Sequence, residues 1–237
     1  MPKPYEVTQP LSRRDALRAD VMARIPRWYS PVGHLAFPSL VGIGAIVASI
    51  AMLRDVTPLQ LLFVPFVLVL TNFNEWHIHR NILHRRSWPL EQLFWRHTPE
   101  HHVIFIRDDM AMRSAKEFHL VLIPSYGIIG IFVTTLPITA GLWLLSHNLA
   151  FLWVASTMGY VVAYEWLHLA YHLPASSRIG RSRLISWLRH HHAVHHTPEL
   201  MQRWNLNVTV PLADWVLGTW YREPRSRPLP EHFATRG

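Results

Sequence analysis

The sequence predicts an all-α integral membrane protein with about four transmembrane helices and a histidine-rich helical cap on one side of the bilayer. Three observations lead to this prediction: long uncharged apolar segments, a one-sided distribution of Lys and Arg, and 17 histidines, most of which gather beside the apolar segments. At 237 residues, half of them apolar, the chain has enough material for one domain with a substantial core.

Three apolar stretches are long enough to cross a bilayer, which takes about 20 residues per helix. They cover approximately residues 36–53, 57–76 and 120–167. The third contains one charge, Glu165, and is too long for a single crossing, so we expect two helices joined near residues 146–148. The first of these two helices should kink at Pro137. A soluble bundle of very apolar helices is the alternative, which such long uncharged runs disfavour.

The Lys and Arg residues lie almost entirely on one side of this topology. All of the 23 except Arg54 fall in residues 1–35, 74–119 and 166–237. Four crossings place these three segments on the same face, and an excess of positive charge marks the cytoplasmic face. We therefore expect cytoplasmic N- and C-termini, and the minimal architecture favours a bacterial cytoplasmic membrane.

Composition excludes several classes of site. The chain has no cysteine, which rules out disulfides, iron–sulfur clusters, haem-thiolate centres and cysteine-ligated zinc, so any metal is held by nitrogen and oxygen. The net charge of +8 would ordinarily favour nucleic-acid binding. Because the arginines flank apolar segments and form no single stripe, no nucleic-acid partner is expected. The expected division is a cytoplasmic segment at 1–35, a membrane domain at 36–221 and a flexible basic tail at 222–237.

Most of the histidines lie in four clusters within the segments assigned to the cytoplasmic face. Side chains at i, i+3 and i+4 share one face of a helix, and most spacings within the clusters follow this rule. Neutral imidazole binds iron, zinc and copper, and about ten imidazoles suffice for two five- or six-coordinate ions. The sequence therefore predicts a histidine-rich di-metal site. Its candidate ligands are His79, His84, His97, His101, His102, His168, His172, His192, His195 and His196.

One pair does not fit a regular helix. His79 and His84 are five residues apart and would diverge, so they can converge only at a helix end or a π-bulge. His77, seven residues before His84, aligns better and is kept as a substitute ligand. Further candidates for supporting or substitute roles are His191, Glu165, Asp108, Asp109, Asn205 and Asp214. The three acids Glu165, Asp108 and Asp109 are equally compatible with ordinary interfacial residues.

The four histidine motifs resemble those of the fatty acid hydroxylase and sterol desaturase superfamily of membrane di-iron enzymes. "HRNILH" at 79–84 is similar to the H-R-x-x-x-H motif of the fatty acid 2-hydroxylase branch. "HLAYH" at 168–172 resembles the third motif, and "HAVHH" at 192–196 matches H-x-x-H-H. "HTPEHH" at 97–102 resembles H-x-x-H-H but has one additional residue.

A further stretch after the last histidine motif supports the resemblance. "NLNVTVPLADWVLGT", from Asn205 to Thr219, is similar to the family pattern N-F-G…P-x-x-D…G-T. Asn207 stands where the family has Gly. We expect a left-handed backbone at this position, which Asn tolerates better than other residues except Gly.

The resemblance implies an O₂-dependent enzyme in which two iron ions, as Fe²⁺ or Fe³⁺, hydroxylate a C–H bond of a fatty acyl or related lipid. Zinc can occupy such a site in purified protein. The chain lacks cysteine and any nucleotide-binding glycine motif, so a separate electron donor, a ferredoxin or a cytochrome b5-like protein, is expected. The alternative at the same site is a desaturase of a sterol, carotenoid or acyl lipid. A membrane cytochrome with bis-histidine haem and a non-catalytic metal carrier are alternatives of other classes.

Overall fold

The computed structural model describes residues 11–223, which are helical with no β-strand among them. The predicted flexible tail at 222–237 lies almost wholly outside the described residues. The elements, in chain order, are α1 (Leu11–Arg24), α2 (Pro31–Ala51), α3 (Pro58–Leu61), α4 (Phe63–Ile78), the π-helix π1 (His79–Leu83), α5 (Glu91–Trp95), the π-helix π2 (Arg96–His101), α6 (His102–Ile104), a 3₁₀ turn (Ala115–Glu117), α7 (Phe118–Val121), α8 (Ser125–Leu145), α9 (His147–Tyr171), α10 (Arg183–His195) and α11 (Leu212–Val216).

Among the described residues, three helices are long and apolar enough to cross a membrane. They are Pro31–Ala51, the continuous run Pro58–Leu83 formed by α3, α4 and π1, and Ser125–Leu145. Most of their surface is exposed, as expected of helices that face lipid. The predicted junction is confirmed, since α8 ends at Leu145 and α9 begins at His147; α8 continues through Pro137.

The fourth crossing that the sequence predicts corresponds to α9. This helix has 25 residues and packs against α2, α4 and α8. Many of its side chains are buried, in contrast to those of the three apolar helices. α9 is therefore the central helix of the bundle, and its last turns reach the histidine-rich end of the molecule.

Local signals explain where two of the membrane helices begin. Ser30 caps α2 by accepting a hydrogen bond from the backbone N–H of Gly33 at 3.0 Å, and Pro31 occupies the first turn. Thr57 and Gln60 form a reciprocal capping box at the start of α3, and Pro58 is the first residue of that helix. Proline at these positions costs no hydrogen bond, because the first N–H groups of a helix have no partner within it.

Residues 79–121 and 172–223 form a cap over one end of the bundle, and α1 lies against it. Arg14 and Arg18 of α1 are buried, and both guanidinium groups donate to the carbonyl of Ile104. Arg18 also pairs with buried Glu117 at 2.9 Å, and Arg14 pairs with Asp109 at 2.8 Å. Buried charges of this kind need partners, so these contacts fix α1 and the cap in one arrangement.

Candidate metal centre

All ten histidines proposed from the sequence as ligands come together where the cap meets the end of α9. They come from π1, π2, α9, α10 and the residues that directly follow these helices. None of the ten is more than 9% exposed. So many buried imidazoles, with few other polar side chains among them, need either hydrogen-bond partners or a cation to satisfy their ring nitrogens.

The imidazoles form two adjacent groups in which each residue offers a nitrogen within 4.8 Å of the others. The first group contains His79, His84, His97, His102 and His195, and the second contains His101, His168, His172 and His192. His196 lies between the groups: its Nε2 is 3.1 Å from Nε2 of His192, and its ring stacks on His102 at 4.1 Å. Two groups of four or five imidazoles match the predicted need for two metal positions.

A π-turn resolves the five-residue spacing of the first motif. The backbone N–H of His84 donates to the carbonyl of His79 at 3.2 Å, a hydrogen bond that spans five residues. The two rings consequently stack, with centroids 5.0 Å apart. A π-turn is one of the two local structures predicted to let His79 and His84 converge.

A second π-turn absorbs the additional residue of the second motif. In π2 the backbone N–H of His102 donates to the carbonyl of His97. The rings at 97 and 102 therefore project to the same side, and their Nε2 atoms lie 3.1 Å apart. On a regular α-helix these two side chains would diverge, so the extra residue and the π-turn compensate for one another.

Most of the rings are oriented by an oxygen that accepts from Nδ1. The acceptors for five of them are backbone carbonyls: Leu206 for His79, Leu120 for His101, Met110 for His172, Trp204 for His195 and Phe105 for His196. A carbonyl can only accept, so Nδ1 carries the proton and Nε2 presents a lone pair. Nitrogen ligands of metals in proteins are held in the same way.

The nitrogen lone pairs that remain free in this arrangement show whether the histidines suit a metal ion. His84 Nδ1 lies 3.0 Å from the hydroxyl oxygen of Thr98, whose proton goes to the carbonyl of Leu83. The Nε2 atoms of His84 and His195 therefore face each other at 3.0 Å with no proton between them. Two lone pairs at this distance repel, and a cation that both can bind removes the conflict.

The second group leaves polar atoms without partners. Nε2 of His101, Nε2 of His172 and both ring nitrogens of His168 are buried and make no hydrogen bond. An unsatisfied buried group costs about 1–3 kcal/mol, and several in one place call for a common partner. The residues of both groups therefore fit metal ions bound through imidazole nitrogens, and the free nitrogen is Nε2 wherever a carbonyl accepts from Nδ1.

Electrostatics keep the imidazoles of the cap in their metal-binding form. Burial lowers the pKa of His97, His102 and His195 well below the ordinary value of 6.5, and the neighbouring histidines lower it further. These rings are consequently neutral near pH 7. Only the neutral imidazole has a lone pair for a metal, so no proton needs to be displaced before binding.

Several supporting candidates surround the groups without joining them. Asp214, fully buried, accepts from the N–H groups of Leu206 and Asn207 at 2.9 and 2.8 Å, from the Thr219 hydroxyl and from His191 Nε2 at 3.1 Å. Asn205 holds the loop by donating to the carbonyl of His191 and accepting from the N–H of Tyr221. Together they fix the carbonyls that orient two of the ligands.

The structure does not bring the other candidates into the groups. His77 is exposed and contacts Asn81, Asp108 is exposed, and Asp109 pairs with Arg14. Glu165 is buried near the second group, where one carboxyl oxygen accepts from the N–H of Ile123 and the other has no partner.

The explanation expected for Asn207 is wrong. Among the described residues other than Gly, only Asp55 and Asn205 have a positive φ, at 44° and 54°. The role of Asn207 lies in its side chain, which donates to the carbonyl of Asn72 and accepts from the N–H of Asp214, both at 3.0 Å. Asn therefore stands there for its hydrogen bonds and not for its backbone freedom.

Sequence reasoning missed Glu75. This buried carboxylate accepts from the N–H groups of Val208 and Thr209, from the Thr209 hydroxyl and from the hydroxyl of Tyr160. It lies one helical turn before His79, so it fastens the loop whose Leu206 carbonyl orients that ring. The signal was present in the sequence, since an ionisable residue inside an apolar membrane helix is rarely without function.

Asp214→Asn is expected to lower the free energy of unfolding by roughly 3 kcal/mol, because an amide nitrogen would face donors that now have a carboxylate oxygen. Metal affinity should fall about 10–100-fold, because the carbonyls that orient His79 and His195 lose their support. Thermal unfolding and metal titration in detergent measure both effects. The matched control is Asp108→Asn, an exposed acid whose replacement should change neither. Equal behaviour of the two variants would contradict the role given to Asp214.

Comparison with known proteins agrees with this geometry. The fatty acid hydroxylase family model matches residues 64–219, a region that contains all ten histidines and Asp214. Comparison with curated proteins and with solved structures gave no match to this chain. The family match covers well over half of the 237 residues. The chain belongs to the fatty acid hydroxylase family.

Proposed function

We propose that the protein is an O₂-dependent membrane oxygenase that hydroxylates a C–H bond of a fatty acyl or related lipid at a di-iron centre. The observation that supports this most is the pair of adjacent all-imidazole groups with Nε2 already presented to a common space. When bound there, two iron ions would activate O₂ and supply the oxidant that no protein side chain can provide. The H-R-x-x-x-H form of the first motif favours hydroxylation over desaturation.

The chain's own residues would hold and protect such a centre. The first group would hold one ion and the second group the other, with His196 between them. All of these ligands are neutral imidazoles, and neither group contains a carboxylate. Burial of every ring excludes bulk water, which protects a strong oxidant from side reactions.

The position of the groups suits a lipid substrate. His79 directly follows α4, and His168 lies in the last turn of α9. The two groups therefore lie at the cap-side ends of these helices, where an acyl chain in the bilayer would approach sideways. A lipid that stays in the membrane need not cross water to reach it.

We further propose that α9 is a fourth crossing and that the cap is cytoplasmic. The loop before α3 meets the start of α9 at the end of the bundle away from the cap. There the backbone N–H of Arg54 donates to the side-chain oxygen of Asn148, and the Asn148 amide donates to the carbonyl of Arg54. α9 must return from that end to reach the histidines. Arg54 is the single Lys or Arg outside the segments assigned to the cap side, as the positive-inside rule expects for the opposite face. A bacterial cytoplasmic membrane remains the favoured location.

Each turnover needs electrons from outside the chain. We propose a separate carrier, a ferredoxin or a cytochrome b5-like protein, that docks on the basic cytoplasmic face. Opposite charge speeds the encounter of such partners more than it adds affinity.

The test is iron content with Mössbauer spectroscopy on the detergent-purified protein, followed by product analysis with O₂, a reductant and membrane lipid. We expect two exchange-coupled irons per chain and a hydroxylated lipid. A Soret band would instead indicate haem, and metal binding without lipid-dependent O₂ consumption would indicate a carrier. An unsaturated product would assign a desaturase to the same centre.

A further inference from the structure

The segment that follows the last histidine motif exposes an apolar surface. Val210, Trp215, Val216 and Leu217 are 58, 63, 54 and 45% exposed, although they lie in the cap and not on a spanning helix. Contiguous exposed apolar side chains on a cap element usually mark a surface that another apolar phase covers.

Hydrogen bonds place this segment beside a membrane helix. The Asn72 amide donates to the carbonyl of Val210 at 2.8 Å, and its oxygen accepts from the N–H of Ala213 at 3.0 Å. Trp76 donates to the Thr219 hydroxyl at 2.9 Å. Asn72 belongs to the spanning run Pro58–Leu83, about 21 Å along the helix axis from its start. The hydrocarbon core is about 30 Å thick, so α11 lies within it or at its edge.

The same bonds explain how irregular backbone can lie at this depth. Within hydrocarbon, backbone N–H and C=O groups have no water and must be satisfied by protein. Asn72 satisfies the groups of Val210 and Ala213, while Glu75 satisfies the N–H groups of Val208 and Thr209. Placing these two polar side chains in a membrane helix costs free energy. They satisfy backbone groups of the loop that would cost more if they lay unpaired in hydrocarbon.

The first half of α10 continues the apolar surface. Leu184 and Trp187 are 62 and 47% exposed. Ile185, between them, packs on the buried cluster that Tyr164 and Tyr171 of α9 form with Leu188 and Val208, so this half of α10 lies against the last turns of α9. The ring of Trp187 lies 6.0 Å from that of Trp220, just beyond α11. Tryptophan is enriched at the boundary between hydrocarbon and headgroups.

We propose that residues 208–217 form a re-entrant element that dips into the cytoplasmic leaflet. Val210, Trp215, Val216 and Leu217 contact acyl chains, and Leu184 and Trp187 lie at the boundary. The segment is bonded to α4 through Asn72, and the same helix exposes apolar side chains such as Phe66 and Val69, which are 59 and 43% exposed. A water-soluble electron carrier fits this surface poorly, because none of the six side chains carries a charge.

The absence of cysteine from the sequence makes the test direct, because one introduced cysteine carries the only spin label. Val216→Cys is labelled with a nitroxide in the full chain, reconstituted into phosphatidylcholine vesicles. Collision rates with apolar O₂ and with a water-soluble nickel chelate then report depth. Val69→Cys serves as the lipid reference and Gln202→Cys, at an exposed polar site of the cap, as the water reference.

We expect the labels at 216 and 69 to collide more often with O₂ than with the nickel chelate. The label at 202 should show the opposite preference. A label at 216 that behaves like the one at 202, with 69 in lipid, overturns the re-entrant element. Nickel access at both 69 and 216 overturns it as well, by removing the membrane span on which it rests. The measurement needs no turnover, so a loss of the proposed oxygenase function would leave its outcome unaffected.

Discussion

Replacing His172 by alanine is expected to reduce lipid oxidation by more than about 100-fold and to lower the iron content from two ions per chain towards one. The second group has four imidazoles, and this change leaves three. His172 is fully buried, its Nδ1 is held by the carbonyl of Met110 at 2.8 Å, and its Nε2 has no other partner. The loss of even a ligand's hydrogen-bond partner typically costs 10–100-fold, so loss of the ligand itself should cost more.

The remaining iron should stay in the first group, which keeps all five of its rings. Metal analysis and Mössbauer spectroscopy measure this, since an isolated iron lacks the exchange coupling of a pair. His77→Ala is the matched control: this histidine lies just before π1 on the same run but is exposed and outside both groups. Two coupled irons and full turnover in His172→Ala would refute the assignment of the second group.

The histidine groups could be foreseen because their spacing is local. His168 and His172, or His192 and His196, are one turn apart on a helix, so sequence alone places each pair on one face. The predicted topology led us to expect that the pairs meet, since chain segments separated by an even number of crossings would end on the same side of the bilayer. The family resemblance gave the same residues from their motifs, and the family match confirms that resemblance.

The π-turns were only partly foreseeable. The five-residue spacing of His79 and His84 required a π-bulge or a helix end, and the structure has the former. The additional residue of "HTPEHH" departs from the family pattern, but sequence patterns do not indicate where a helix widens. In the structure the wider turn lies between His97 and His102 and brings their Nε2 atoms to 3.1 Å from each other.

The support around the rings could not be predicted, because it comes from backbone atoms distant in sequence. The carbonyls of Leu206 and Met110 carry no side-chain signal, yet they decide which nitrogen of His79 and His172 is free. Asn207 shows the same limit: its identity suggested a left-handed turn, while its side chain bridges a membrane helix and the Asp214 loop. Glu75 was visible in the sequence, but its partners were not.

The metal-free protein is expected to lose stability steeply as the pH falls below about 6.5, the pKa of histidine in an unfolded chain. Burial lowers the pKa of several cap histidines well below that value in the folded state: His84, His97, His101, His102, His192, His195 and His196. Below pH 6.5 the unfolded chain takes up protons that the folded chain cannot bind, so protons favour unfolding. The stability is present above 6.5 and is lost as the pH falls through it.

The effect should be large because many groups titrate together. Each such histidine contributes on the order of 1 kcal/mol per pH unit, against about 5–15 kcal/mol for the whole stability of a typical domain. The thermal midpoint of chelator-treated protein in detergent, followed between about pH 7.5 and 5.5, should therefore fall sharply. Iron-loaded protein should resist to lower pH, because an ion on Nε2 occupies the site where the proton would bind. A midpoint that is flat over this range in the metal-free protein would mean that the rings are not buried and neutral, and the two groups would then not be preformed for metal.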